Sequence, residues 1–360
     1  MHRETKEAAG VFQQGAHRQH VVEMRDIGLS GISSAICEIA WAHRAQAGEN
    51  HEVNQNHDPS ASRTYAYEVD PAFPELPEGG VLGEVSGVAV DHEDRVYVAN
   101  RSTNPVQIYS TDGQFLSSWS YSDFERVHGV TIAPDGRIYI ADDRRHLIRV
   151  FNPAGELVLT IGTDGVPSDT GVEDRNPRTI KHAGPPFNLP TDTAPTADGS
   201  FYVSDGYGNA RVHHFSHEGE LLQSWGEPGT GPGEFNLPHG VTIDNKGRVL
   251  VADRENGRIQ VFSADGTYET EFNDLIRPCG MCVDGDGVIY VAELAQSYGR
   301  ITILSPKGEL LEQWAIAGDV PKVGAHSIAL DSEKNLYVGL VYQGAPLPEN
   351  ARPVIKYRRV

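Results

Sequence analysis

The stretch PHGVTIDNKGRVLVAD, residues 238–253, decides the fold, because the chain carries five further variants of it. Gly240, Val241, Thr242 and Ile243 alternate with period two, as a strand buried on one face does. An Asp-x-x-Gly turn follows, from Asp244 to Gly247, and then an apolar, β-branched run over 249–252 that reads as a second strand. Beyond a polar turn, the pattern predicts a third strand over 258–262. A tight turn at Ala264, Asp265 and Gly266 then leads to an edge strand over 268–272. The same turn recurs as Thr111–Asp112–Gly113, Pro153–Ala154–Gly155, His217–Glu218–Gly219 and Pro306–Lys307–Gly308, where glycine accepts the positive φ of a short hairpin.

The other copies read VSGVAVDHEDRVYVAN (85–100), VHGVTIAPDGRIYIAD (127–142), PTDTAPTADGSFYVSD (190–205), PCGMCVDGDGVIYVAE (278–293) and AHSIALDSEKNLYVGL (325–340). Their second positions, Ser86, His128, Thr191, His239, Cys279 and His326, lie 40 to 63 residues apart, the period of four-stranded propeller blades. An all-β, six-bladed β-propeller is expected. Trp119, Trp225 and Trp314 recur on fourth strands and are expected to fill the wide space between blades. The last copy ends after its third strand, PVIKYRRV, while an unassigned alternating segment, 64–69, precedes the first blade. The economical reading makes that segment the fourth strand of the last blade, removing the open sheet edges; an unclosed solenoid is the alternative.

One propeller over residues 64–360 leaves residues 1–63 as an N-terminal extension and linker, with an amphipathic stretch over 27–41 and a polar run over 48–62. Its apolar segment is interrupted by Glu38 and lies behind an overlong leader, so it does not read as a signal peptide. With 30 basic and 50 acidic residues the net charge is −20, which disfavours nucleic acid and anionic membrane as partners. Apolar runs fall short of the roughly 20 residues of a membrane span. Three cysteines make no disulfide framework, and a reducing, cytoplasmic location is expected. Cys279 and Cys282 form a C-x-x-C without the second pair of a zinc ribbon; Cys282 reads as filling between blades, and Cys279 as a residue near the axis.

The lead positions alternate Ser, His, Thr, His, Cys, His. In a closed ring, His128, His239 and His326 converge on one axis from three directions. Three neutral imidazoles with one open position form a catalytic zinc site rather than a structural one, although iron and other divalent transition metals share the preference for imidazole. The plainer alternative is three polar residues lining a wet channel. His213, His214 and His217 cluster on a third strand and its turn and are expected to be solvated. Arg101 and Arg254 each follow a second strand directly, and Tyr207 lies one step further in its own turn, so all three are expected to rim the mouth of the channel. Two arginines suit a carboxylate, and a tyrosine held between cations is suited to act as a base. The insertion 163–189, rich in Gly, Pro and charge, is expected to cover part of that mouth.

Residues 190–262, with SDGYGNARV, PHGV and ADRENGRIQ in sequence, resemble the peptidylglycine α-amidating lyase family, an NHL-type six-bladed propeller; weaker similarity runs from about residue 80 to 345. The resemblance implies zinc on His128, His239 and His326, a catalytic Tyr207, and active-site arginines at Arg101 and Arg254. It implies a lyase that splits the C–N bond of an α-hydroxyglycine, a carbinolamide, into an amide and glyoxylate. The substrate would be a small molecule or short peptide with a carboxylate. Two departures stand out. The family's cysteines are replaced by Gly208, Leu250 and Val261. Around its last histidine the family has Met-Pro-His-Asp, with the Asp on a structural calcium, where this chain has Gly324, Ala325, His326 and Ser327, so that calcium is not carried over. Two alternatives stay open: a metal-dependent esterase or lactonase on the same propeller, and a non-catalytic NHL scaffold that binds proteins.

Overall fold

The computed structural model describes residues 65–119, 121, 123–295, 298–316, 323–342 and 352–360. The expected extension, with its amphipathic stretch and Cys37, lies outside these residues, as does Thr64.

Six four-stranded antiparallel sheets form a β-propeller. Blade four runs Pro238–Ile243, Val249–Asp253, Arg258–Phe262 and Tyr268–Phe272, close to the strands read from its sequence. Its first strand starts earlier than the alternation suggested, because Pro238 already pairs with Asp253. The Asp-x-x-Gly turn is held by the aspartate: Asp244 Oδ1 accepts from the backbone N–H of Lys246 and of Arg248, both at 2.9 Å. Gly247 takes φ +76° at its end, where an L side chain is disfavoured.

Each second strand, such as Val96–Asn100, Ile138–Asp142 or Phe201–Asp205, is buried along its whole length. A strand covered on both faces needs an unbroken apolar run, which explains the VYVA-like sequence of these segments. The covering comes from the neighbouring blades, so apolar side chains gather into six large clusters, one at each blade interface, with a small seventh of Cys279, Leu294 and Val341. The tryptophans occupy these gaps as expected. Trp119 lies 4.8 Å from Phe151 and Trp225 5.7 Å from Phe262, each on the next blade, while Trp314 stacks on Tyr67 at 5.6 Å.

Closure follows the economical reading. Tyr67–Asp70 pairs antiparallel with Val354–Arg359, from Tyr67 opposite Arg359 to Asp70 opposite Lys356. Blade six therefore takes three strands from the C-terminal end of the chain and one from the start of the propeller. The ring is closed, and the solenoid is excluded.

One expectation fails on the third strands. His213 is fully buried rather than solvated, and His214 is half-buried, stacked on Tyr202 at 4.2 Å; of the three, His217 is exposed. The reason is positional. Opposite the centre of the second strand stand Gln107, Arg149, His213, Gln260 and Thr302 in blades one to five. In blades two, four and five these groups donate to the buried acid that ends the second strand, Arg149 to Asp142 at 2.8 Å, Gln260 to Asp253 at 3.2 Å and Thr302 to Glu293, while in blade three His213 Nε2 lies 3.5 Å from Asp205 Oδ2. Such an acid has to be partnered because an unpaired buried charge is costly.

Candidate metal centre and active site

In all six blades the pairing of first and second strand shifts register at the lead position. A bulge adds a residue that need not follow the pleat, and here it turns the lead side chain out of the sheet toward the axis. The next residue is glycine in blades one, two, four and five because the neighbouring first strand presses against it. A Cβ on Gly240 would clash with the Cys279 carbonyl, and one on Gly87 would come 2.8 Å from the His128 carbonyl.

His128, His239 and His326 meet at the axis with ring centroids 4.7 to 4.9 Å apart and rings steeply inclined to one another. All three are buried, and their ligand nitrogens lie within 4.8 Å of one another. Each ring is held by the blade that follows. The Nδ1–H of His128 donates to the Thr191 carbonyl at 2.6 Å, that of His239 to Cys279 at 3.3 Å, and that of His326 to Ser86 at 2.8 Å. The alternation of the lead residues is therefore one device: odd blades supply the carbonyls that orient the histidines of even blades. Since a carbonyl only accepts, each Nδ1 carries the proton and each Nε2 keeps a free lone pair. Ser86 Oγ and Thr191 Oγ1 donate to the carbonyls of Val127 and Pro238, the residues just before His128 and His239, at 2.8 and 3.1 Å.

Burial, reinforced by the neighbouring histidines and arginines, holds His128 and His239 well below the usual imidazole range. Burial and the charge of Arg101 push His326 down to about 3. The rings are neutral at physiological pH, the form that binds metal. Three inward lone pairs repel unless a positive charge sits between them, and the one donor beside them, the Tyr207 O–H, can serve only one of the three. The donor set fits a divalent transition metal such as Zn2+, with one coordination position left over.

Tyr207 closes the top of this cluster. It follows Phe201–Asp205 in a turn pressed inward at Gly206, where a Cβ would clash with the Pro238 carbonyl. Asp205 anchors the turn by accepting from the Asn188 N–H and from Asn209 Nδ2. The phenol oxygen lies 3.2 Å from Nε2 of both His128 and His239. One O–H can donate to only one of these two lone pairs at a time, so the other stays free for a metal.

A cavity of about 340 Å³ opens above the tyrosine, and Arg101 and Arg254 line it as the sequence suggested. Their roles differ. The Arg254 guanidinium sits 5.5 Å over the Tyr207 ring and pairs with Glu255 at 3.0 Å. Arg101 pairs with Glu84 at 2.5 Å, and a further cation on the tyrosine ring is Arg126, at 5.6 Å. Arg126 was missed because nothing in the sequence marks it: its contact with Asp143 forms only when the turn after the second strand folds back beside the first. Arg144 and Arg175 also line the mouth, the latter from the insertion, as does Leu189, so the insertion does cover part of it.

Below the histidines a second cavity, of about 490 Å³, is walled by the first strands. Asp192 lines it, with burial pushing its carboxyl up to about 7. Cys279 is fully buried and burial pushes its thiol up to about 11, so it is a protonated neighbour of the site. Cys282 packs into the interface between blades five and six, as expected.

Comparison with known proteins fits this architecture. Residues 124–151 and 235–262 match the NHL repeat. Human NHL repeat-containing protein 3 is 32% identical over 263 residues, covering 68% of this chain and 72% of that protein. The chain belongs to the family of NHL repeat-containing protein 3. Similarity reaches beyond this NHL family to the Drosophila melanogaster peptidyl-α-hydroxyglycine α-amidating lyase 1, 30% identical over 222 residues, 58% of this chain but 38% of that one. In fold, the NHL propeller resembles virginiamycin B lyase from Staphylococcus aureus with a TM-score of 0.52 at 16% identity, covering 82% of this chain and 89% of the other. Among the described residues, no helix is long and apolar enough to cross a membrane.

Proposed function

We propose that the protein is a metal-dependent lyase that cleaves the C–N bond of an α-hydroxyglycine-type carbinolamide to give an amide and glyoxylate. The observation that carries this reading is the Tyr207 phenol, 3.2 Å from two inward-facing Nε2 atoms and beneath a cavity walled by arginines. A divalent metal, Zn2+ first, held by Nε2 of His128, His239 and His326, would supply Lewis acidity that makes the substrate hydroxyl acidic. Arg254 and Arg101 hold the substrate carboxylate, and their planar forks give it one orientation. The Tyr207 oxygen takes the hydroxyl proton. As the carbonyl of glyoxylate forms, the C–N bond breaks, and the proton passes to the departing amide nitrogen. No water is consumed, so a small buried chamber suits the reaction. The amidating-lyase relatives support the reading, and so does a substrate that is a carboxylate-bearing small molecule or short peptide.

The test is glyoxylate release from α-hydroxyhippurate by metal-loaded protein. Tyr207→Phe keeps the metal and is expected to lower kcat by about 10²- to 10⁴-fold, the contribution of a positioned proton-transfer group. Hydrolysis of esters or lactones without glyoxylate release would instead identify a hydrolase. Purified protein with neither bound metal nor turnover would identify a scaffold.

A further inference from the structure

The mouth holds more positive charge than one substrate carboxylate needs. Five arginines line it: Arg101, Arg126, Arg144, Arg175 and Arg254. Three are matched nearby, Arg101 by Glu84, Arg126 by Asp143 and Arg254 by Glu255. Arg144 and Arg175 are exposed, and neither has a carboxylate partner among the described residues. On a chain with a net charge of −20, an uncompensated pair of cations at the entrance of one cavity calls for a ligand.

Backbone conformation singles out Arg175. Asp174 and Arg175 take φ of +51° and +55°, the left-handed region that non-glycine residues seldom enter. They form the tip of a tight turn in which the Asn176 N–H donates to the Glu173 carbonyl at 2.9 Å. The turn is braced from behind, where the Glu173 N–H donates to Thr179 Oγ1 at 2.7 Å and Lys181 pairs with Glu173 at 2.7 Å. An unfavourable conformation kept at the tip of a braced loop, with a cation at its end, is more readily explained by what the cation meets than by folding. Arg144 approaches the same mouth from blade two, in the short turn Asp143–Arg145, whose partner Asp143 is occupied by Arg126.

Resting on the lyase reading above, we infer that the substrate carries a second anionic group on its acyl side, held at the mouth by Arg144 and Arg175 while its glycine carboxylate lies deeper, against Arg254 and Arg101. The preferred substrate class is thus a dianionic N-acyl-α-hydroxyglycine rather than a neutral-capped one.

Binding can be read without catalysis, using two unreactive analogues of equal shape, N-succinylglycine and its monoamide N-succinamoylglycine. Titration calorimetry on the metal-loaded protein at low salt is expected to show the dianion bound roughly tenfold more tightly, as two partly exposed ion pairs allow. The preference should shrink at 1 M salt, where such pairs are screened. In Arg144→Gln/Arg175→Gln the ratio should fall to about one, with the loss on the dianion; both side chains are exposed, and an unchanged Tm confirms the fold. Equal or weaker binding of the dianion by the wild-type protein overturns the inference. So does a preference that survives the double substitution, or no binding of either analogue. Glyoxylate release without dianion preference sinks this inference alone; dianion preference without glyoxylate release sinks the lyase reading and leaves Arg144 and Arg175 as an anion-binding pair.

Discussion

In each axial histidine one nitrogen is committed to a backbone carbonyl of the next blade, so the ring presents its Nε2 to the axis before any ligand arrives. Losing one of three such donors leaves a poor site, and His239→Ala should retain less than about a tenth of wild-type metal by elemental analysis while unfolding normally. Full occupancy in that variant would remove the centre from consideration. Asp192 offers a different test. Its carboxyl is raised from the ordinary value to about 7 by burial, so the folded state binds a proton that the unfolded state releases above about pH 4. Stability from this group is therefore present at low pH and lost as pH rises from about 4 through 7. Asp192→Asn carries no charge and keeps the Thr193 N–H on its one oxygen, giving up only the long 3.5 Å contact from the Val241 N–H. Discounted for the water that reaches the lower cavity, the gain is on the order of 1 kcal/mol at pH 8 and about nothing at pH 4. A thermal shift that does not depend on pH would refute the assignment.

First strands and their bulges form the element that builds the centre. Six of them run side by side around the axis so closely that Gly240 and Gly280 face the backbone of the neighbouring strand directly. Gly240→Ala should push blades four and five apart. We expect a loss of about 2–3 kcal/mol in denaturant unfolding, as for overpacking elsewhere in protein interiors, together with weaker metal retention because the His239 ring depends on the Cys279 carbonyl. A Gly→Ala change at Gly247, where a Cβ would meet nothing within 4 Å, should cost less and leave the metal bound, since only its φ of +76° is strained. If the two variants lost metal equally, crowding at the axis would not be the cause. At this scale the sequence was legible wherever a local rule applied. The Asp-x-x-Gly turns, the hairpin glycines and the fully apolar second strands follow from φ preferences and two-sided burial. The bulge was not legible, because a register shift depends on the partner strand. The fate of His213 was missed because its burial comes from tertiary contacts: Phe187 of the insertion packs against the ring, and Ser224 on the next strand holds its Nδ1.

Across the whole molecule, stability depends on closure. Tyr67–Asp70 covers the edge of Val354–Arg359, and Tyr67 also stacks on Trp314 in blade five, so one short strand ties two blades to the start of the propeller. Removing residues 1–70 should expose that edge, lower Tm by several degrees and produce concentration-dependent association by light scattering. A variant that stays monomeric with an unchanged Tm would show that the blade interfaces alone suffice. The mouth belongs to this scale as well. Arg101 comes from blade one, Arg126 and Arg144 from blade two, Tyr207 from blade three, Arg254 from blade four and Arg175 from the insertion, and only the closed ring makes them neighbours.

The amino-acid order by itself determined the number of blades, the turn chemistry, the manner of closure and the alternation of histidines, because each rests on a period or a local backbone preference that the chain carries along its length. Tertiary structure alone decided which imidazole nitrogen faces the axis, which arginine lies on the tyrosine, and where unbalanced positive charge collects. Those outcomes depend on distances between blades far apart in sequence, and electrostatics and hydrogen bonding act through space rather than along the chain.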